Sequence, residues 1–137
     1  MHEAGRRVHV FDSKSASGGE TAVIMKLKEW IDEKLDFDDI VRKGEDFISN
    51  LRTYFVLEDL GTLIKSGRIP MLAGSIATRL SIVPICSGND GNIKGNEVRR
   101  GIDKALKRLS DIIVSDQVDF SDRTLYITHV NNEPRAE

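Results

Sequence analysis

A β-branched run that gives way to a small-residue loop and then to a helix is the arrangement that most constrains this chain. It occupies Val8–Lys28, VHVFDSKSASGGETAVIMKLK. Val8–Phe11 has the composition of a buried strand. After the loop, Val23, Ile24, Leu27, Trp30 and Ile31 recur at helical spacing, which predicts a helix running to about Lys34. Between the two lie Ser13, Ser15, Ser17, Gly18 and Gly19. A loop of this kind delivers the chain to a helix N-terminus, where free N–H groups and the helix dipole attract anions. Serine hydroxyls add donors. The spacing fits neither GxGxxG nor the P-loop, so the loop is an anion seat that names no nucleotide.

The remaining totals narrow the classes. A chain of 137 residues is long enough for one domain with a real core. A hydrophobic content of 39% with 31% charged residues fits a soluble globular protein. The net charge of −2 gives no support to a nucleic-acid partner, which calls for a basic field against the phosphates. No apolar run approaches a membrane span. The opening MHEAGRR has no apolar core behind its arginines and does not read as a signal peptide. The single cysteine, Cys86, excludes an internal disulfide, and with His2, His9 and His129 it forms no metal-ligand spacing. The default expectation is a cytoplasmic protein without metal or cofactor.

Along the chain, a second helix is predicted over Phe37–Leu51, burying Phe37, Ile40, Val41, Phe47, Ile48 and Leu51. Gly44 weakens its middle by up to about 1 kcal/mol relative to Ala. Thr53–Leu57 is the clearest strand, and strand, two helices, strand is the layout of a parallel α/β unit. Asp59 then reads as the N-cap of a short helix stopped by Gly67. Met71–Leu80 mixes Ala73, Gly74, Ser75 and Ala77 with Leu72, Ile76 and Leu80, so a backbone or ligand can approach closely. Ser81–Cys86 and Ile93–Val98 form a hairpin about the Asp90-Gly91 turn. A strongly periodic helix follows from about Arg99 to Val114, then a last strand over Arg123–His129 and the start of a helix at NNEPRAE. The expected fold class is α/β: a strand-helix-helix-strand parallel unit over residues 1–58, joined to a hairpin-plus-helix α+β part over 59–137.

In this order the motifs resemble the DegV family of bacterial fatty-acid-binding proteins. Phe11–Gly19, FDSKSASGG, is similar to the family's aspartate-serine segment. Tyr54–Leu60 with Leu63 and Ser66–Ile69 is similar to its strand, acidic-leucine helix and Gly-Arg-Ile turn. Ile82–Ile85, Asp90-Gly91, Val98-Arg99 and Ala105-Leu106 follow, and Tyr126–His129 resembles the family's strand ending in histidine. Family members are longer at both ends, and their first portion carries a threonine that helps bind the carboxylate. The chain therefore resembles an internal piece of a DegV-like fold. Thr21 stands where the family pattern has glycine.

The resemblance implies that Ser13, Ser17, Gly18 and Gly19 hold a fatty-acid carboxylate through hydroxyl and backbone donors. Ser17 equally fits a helix cap forming a capping box with Glu20. Leu72, Ile76, Leu80, Ile82 and Ile85 are the candidate acyl-chain lining, or else ordinary core. Arg68 and Arg99 match family arginines near the surface that docks a fatty-acid kinase; both also fit solvated charges. Asp12 has a structural part, accepting the loop's N–H groups. The implied function is a carrier that presents bound fatty acid to a kinase and catalyses nothing itself. The alternatives are a small α/β enzyme or phosphate-ligand binder using the Ser/Gly loop, and a nonfunctional fragment whose sheet edges are covered in a homo-oligomer.

Overall fold

A computed structural model describes residues 5–58, 61–67, 82–115, 121 and 123–137. The elements are α1 (Gly18–Asp32), α2 (Phe37–Asn50), β1 (Tyr54–Val56), α3 (Gly61–Lys65), β2 (Ile82–Asn89), β3 (Asn92–Arg100), α4 (Ile102–Ser115) and α5 (Glu133–Ala136). No described helix is long and apolar enough to cross a membrane. The chain divides into two compact units, Met1–Leu51 with Thr128–Glu137, and Arg52–Ile127.

The first unit rests on the α1–α2 pair. Ala22 and Val23 of α1 and Ile48 of α2 are buried, and Trp30 meets the Phe47 ring edge-on at 6.3 Å. The predicted apolar stripe of α1 is only partly used: Ile24 and Ile31 are about 60% exposed. Val8–Phe11, expected as a strand, is irregular chain laid on α2 without a ladder among the described residues. His9 Nε2 lies 2.8 Å from Glu45 Oε1, and the Phe11 ring lies over Gly44. A Cβ on Gly44 would stand 2.4 Å from Phe11 Cε1, so this helix-weakening residue is what admits the ring.

The second unit is built on an antiparallel sheet in the order β1-β2-β3. This corrects the expected parallel arrangement. Val56 pairs with Ile85 and Tyr54 with Ser87, both antiparallel. Strand β1 therefore goes with the hairpin, and the division falls after Leu51 where residue 58 was expected. Asp90 and Gly91 link β2 to β3 at φ 50° and 77°, the two positive values of a type I′ turn. Pro84 has no N–H to give the ladder, and just beyond it the register slips: Ile85 faces Glu97 but Cys86 faces Gly95, leaving Asn96 as a bulge. Helix α4 covers one face, where Val83, Ile85 and Ala105 form the core with Val56, Ile102, Leu109 and Ile112. Pro84 and Cys86 are fully buried on the other face, and burial pushes the Cys86 thiol pKa up. The predicted last strand, Arg123–His129, has no strand structure. Leu125 and Ile127 stand exposed along it.

Candidate functional site

The loop between Phe11 and α1 is shaped by its own short side chains. Asp12 Oδ1 accepts the Lys14 N–H at 3.1 Å, which gives the aspartate its expected structural part. The half-buried Ser13 hydroxyl donates to the Ser15 carbonyl at 3.2 Å and accepts the Ser15 N–H at 3.4 Å. These contacts wind the chain tightly enough that Lys14 and Ser17 both take positive φ, 49° and 54°. Such backbone is costly for residues other than glycine.

Ser17 is the N-cap of α1 by position, but its side chain makes no capping hydrogen bond. The capping box with Glu20 is not formed, because the φ 54°, ψ −120° backbone of Ser17 is not the extended conformation that turns a cap hydroxyl onto the helix. Gly19 N–H instead turns back to the Ala16 carbonyl at 3.3 Å, and Thr21 N–H closes the first helical turn on Ser17 at 2.9 Å. The N–H groups of Gly18 and Glu20 belong to the first turn, where a helix supplies no partner. Ser17 is exposed, Gly18 half-buried and Gly19 buried. Thr21 lies in regular helix without positive φ, so its β-branch meets no backbone obstacle where the family pattern has glycine.

One neighbour of this loop was not singled out from the sequence. Thr128 sits against Gly18, where an added Cβ would meet Thr128 Oγ1 and Cγ2 at 3.1 Å. A threonine hydroxyl thus stands at the helix start, supplied by a segment far along the chain. Its position within Tyr126–His129 was legible only as a strand end. His129 Nδ1 accepts the Asn132 N–H at 3.3 Å, a local structural contact.

The other predicted residues are placed as follows. Leu72, Ile76, Leu80 and Arg68 lie outside the described residues. Ile82 is half-buried at the start of β2, and Ile85 is fully buried beneath α4. Arg99 is engaged: its Nη2 donates to Glu97 Oε2 at 2.5 Å and its Nη1 to the Val98 carbonyl at 2.9 Å. Arg108 of α4 grips the same carboxylate, with Nη2 2.6 Å from Oε1 and Nε 3.0 Å from Oε2. The Arg108 hydrogen bond foremost, with Arg99 adding to it, holds the Glu97 carboxyl below its usual range. Among the described residues no group of three His, Cys, Asp or Glu side chains is placed to hold a metal.

The sequence model of the family described as "Uncharacterised protein, DegV family" matches residues 1–137. A DegV domain-containing protein of Clostridium acetobutylicum is 34% identical over 105 residues, which is 76% of this chain and 38% of that protein. A DegV family protein of Ruminococcus gnavus, solved with vaccenic acid, superposes with TM-score 0.86 at 39% identity, over 98% of this chain and 48% of its own. The Fatty Acid Kinase (Fak) B3 protein of Streptococcus pneumoniae, loaded with linoleic acid, gives TM-score 0.74 at 28% identity, over 80% of this chain and 40% of its own. The chain spans less than half the length of these relatives.

Proposed function

The chain belongs to the DegV family, and on that premise we propose that it binds a long-chain fatty acid and presents the carboxylate to a partner kinase. The observation that carries this reading is the loaded state of a similar protein: the Ruminococcus gnavus structure, alike over nearly the whole of this chain, holds vaccenic acid. The α1 start adds a physical reason. Its Ser17 hydroxyl is not spent on capping, and first-turn N–H groups give a carboxylate charge-assisted bonds without a buried cation. In this proposal Ser13, Ser17, Gly18 and Gly19 contact the carboxylate, Thr128 stands beside them, and Leu72, Ile76, Leu80, Ile82 and Ile85 line the acyl chain. The ligand is the fatty acid itself; no cofactor takes part and the chain catalyses nothing.

Presentation to a kinase is proposed from the Streptococcus pneumoniae relative, which is by name a Fatty Acid Kinase (Fak) B3 protein. Arg68 and Arg99 are the proposed docking cations on such a partner. We take the two compact units as partial counterparts of the family's two subdomains, the chain as cytoplasmic, and exposed apolar edges as surfaces covered in a homo-oligomer.

Lipid that co-purifies with the chain, identified by mass spectrometry, tests the reading. Added long-chain fatty acid below its micellar concentration should raise the melting temperature by several degrees, because ligand at about a hundred times its Kd contributes about 2.7 kcal/mol. Neither lipid nor shift would end the fatty-acid proposal. For docking, Arg99→Ala should weaken kinase pull-down; unchanged capture removes Arg99 from the interface.

A further inference from the structure

The chain reaches the Ser/Gly loop along one face of α2. Arg7 forms a double hydrogen bond with Asp38, Nη1 donating to Oδ2 at 3.1 Å and Nη2 to Oδ1. The same guanidinium lies 4.4 Å over the Phe37 ring. About two turns further along the helix, His9 Nε2 lies 2.8 Å from Glu45 Oε1, and the Phe11 ring fills the gap left at Gly44. His9 also stands edge-on to Phe11, with ring centroids 4.6 Å apart. Arg7–Phe11 is thus a strap with an anchor at each end. Helix α1 is held to the same helix by Trp30 against Phe47. The loop from Asp12 to Ser17 therefore spans two fixed ends, and its Asp12–Lys14 and Ser13–Ser15 bonds take up the slack between them.

We propose that this strap keeps the start of α1 uncapped, and that its release lets the helix cap itself and close the anion seat. Ser17-Gly18-Gly19-Glu20 has the spacing of a capping box, yet the Ser17 side chain makes no cap hydrogen bond. Its φ of 54° and ψ of −120° are the reason. A capping residue is extended, and a serine at positive φ persists only where its surroundings impose that backbone. Reversing the sign of φ at Ser17 swings the whole chain before it, and with Arg7, His9 and Phe11 docked that chain cannot follow. Once they detach, Ser17 takes the extended conformation. Its Oγ then accepts the Glu20 N–H, and the Glu20 carboxylate accepts the Ser17 N–H. The hydroxyl and first-turn donor that suit an incoming carboxylate are taken by the helix itself, and a negative side chain is drawn to the opening. A ligand that needs those groups shifts the chain toward the docked state. The consequence for ligand rests on the fatty-acid reading; the exchange between strap and cap does not.

The test compares Ser17→Ala in two backgrounds, the wild type and a released chain carrying Arg7→Gln, His9→Gln and Phe11→Ala. With the strap docked there is no cap bond to lose, so Ser17→Ala should leave the melting temperature nearly unchanged. In the released chain it should lower it by a few degrees, the effect of a lost N-cap. Amide exchange at Glu20 should be about fivefold slower in the released chain than in the wild type, as a typical cap gives, and the Ser17 Cα and Cβ NMR shifts should move to those of negative φ. Gly44→Ala is a second release that keeps α2 intact, since its Cβ would stand 2.4 Å from Phe11 Cε1; it should give the same signature. An equal cost of Ser17→Ala in both backgrounds, or Ser17 shifts unchanged in both released chains, overturns the proposal. Long-chain fatty acid, titrated below its micellar concentration, should bind the released chain about fivefold more weakly or worse. Equal affinity overturns the closing of the seat. Binding by neither chain, with the cap signature present, supports the exchange and ends the fatty-acid reading alone.

Discussion

Single residues in this chain are under measurable local tension. Ser17 holds φ 54° without a cap bond to show for it. Ser17→Gly should therefore raise stability, by about 1 kcal/mol in urea unfolding, because glycine adopts such backbone freely. If the hydroxyl binds carboxylate, the same substitution should lower fatty-acid affinity, so opposite signs separate binding from structure. Affinity that tracks stability would leave Ser17 a loop residue only. Gly44 carries a second tension, since a Cβ would drive into the Phe11 ring. Gly44→Ala should destabilise by about 1–3 kcal/mol through overpacking, yet in a Phe11→Ala background it should stabilise by up to about 1 kcal/mol through helix propensity. The same sign in both backgrounds would refute the packing account. The Ser/Gly loop itself was legible from residue type alone, whereas Thr128 was not. More than a hundred positions separate it from Gly18, and no local pattern reports a contact that only the fold makes.

Elements formed where the sequence supplied both their period and their partner. Helices α2 and α4 fall within a few residues of the expected bounds, since their apolar stripes meet a surface inside the same unit. The Asp90-Gly91 turn was equally readable, because Asp-Gly readily takes the two consecutive positive φ values of a type I′ hairpin turn. Val8–Phe11 and Arg123–His129 had strand composition but formed no strand. Propensity for a strand is fit to a pleated, half-buried surface, and a ladder needs a neighbour. The parallel expectation failed for a related reason: helical spacing between two strands does not specify which strand each one pairs with, and Tyr54–Val56 found Ile85–Ser87. The β3–α4 contact is electrostatic as well as apolar, with Glu97 held between Arg99 and Arg108. Because the folded Glu97 pKa is lowered, its contribution to stability is complete above the unfolded value of about 4.3 and is lost as pH falls through the lower folded value. Glu97→Gln should flatten the acid limb of the stability profile. A variant that retains the wild-type slope below about pH 4 would show that other carboxylates set it.

For the molecule as a whole, the question is what covers the apolar side chains that neither unit buries. Val8 and Val10 are each 83% exposed on the segment that precedes the Ser/Gly loop, and Val130 is 91% exposed in the same unit. Apolar side chains exposed together are the kind of surface that another copy of the chain can cover. On the proposal of a homo-oligomer, the chain should self-associate in a concentration-dependent way by sedimentation velocity. Burying one valine fully is worth about 1.5–3 kcal/mol, so Val8→Ser with Val10→Ser should remove about 3 kcal/mol or more. That corresponds to a dissociation constant raised by at least about a hundredfold, since each 1.4 kcal/mol is tenfold. Because both side chains already stand in solvent, the substitutions should leave the monomer's unfolding midpoint unchanged. Association of equal strength in the double variant would assign the contact to another surface, and a chain monomeric at every concentration would remove the homo-oligomer.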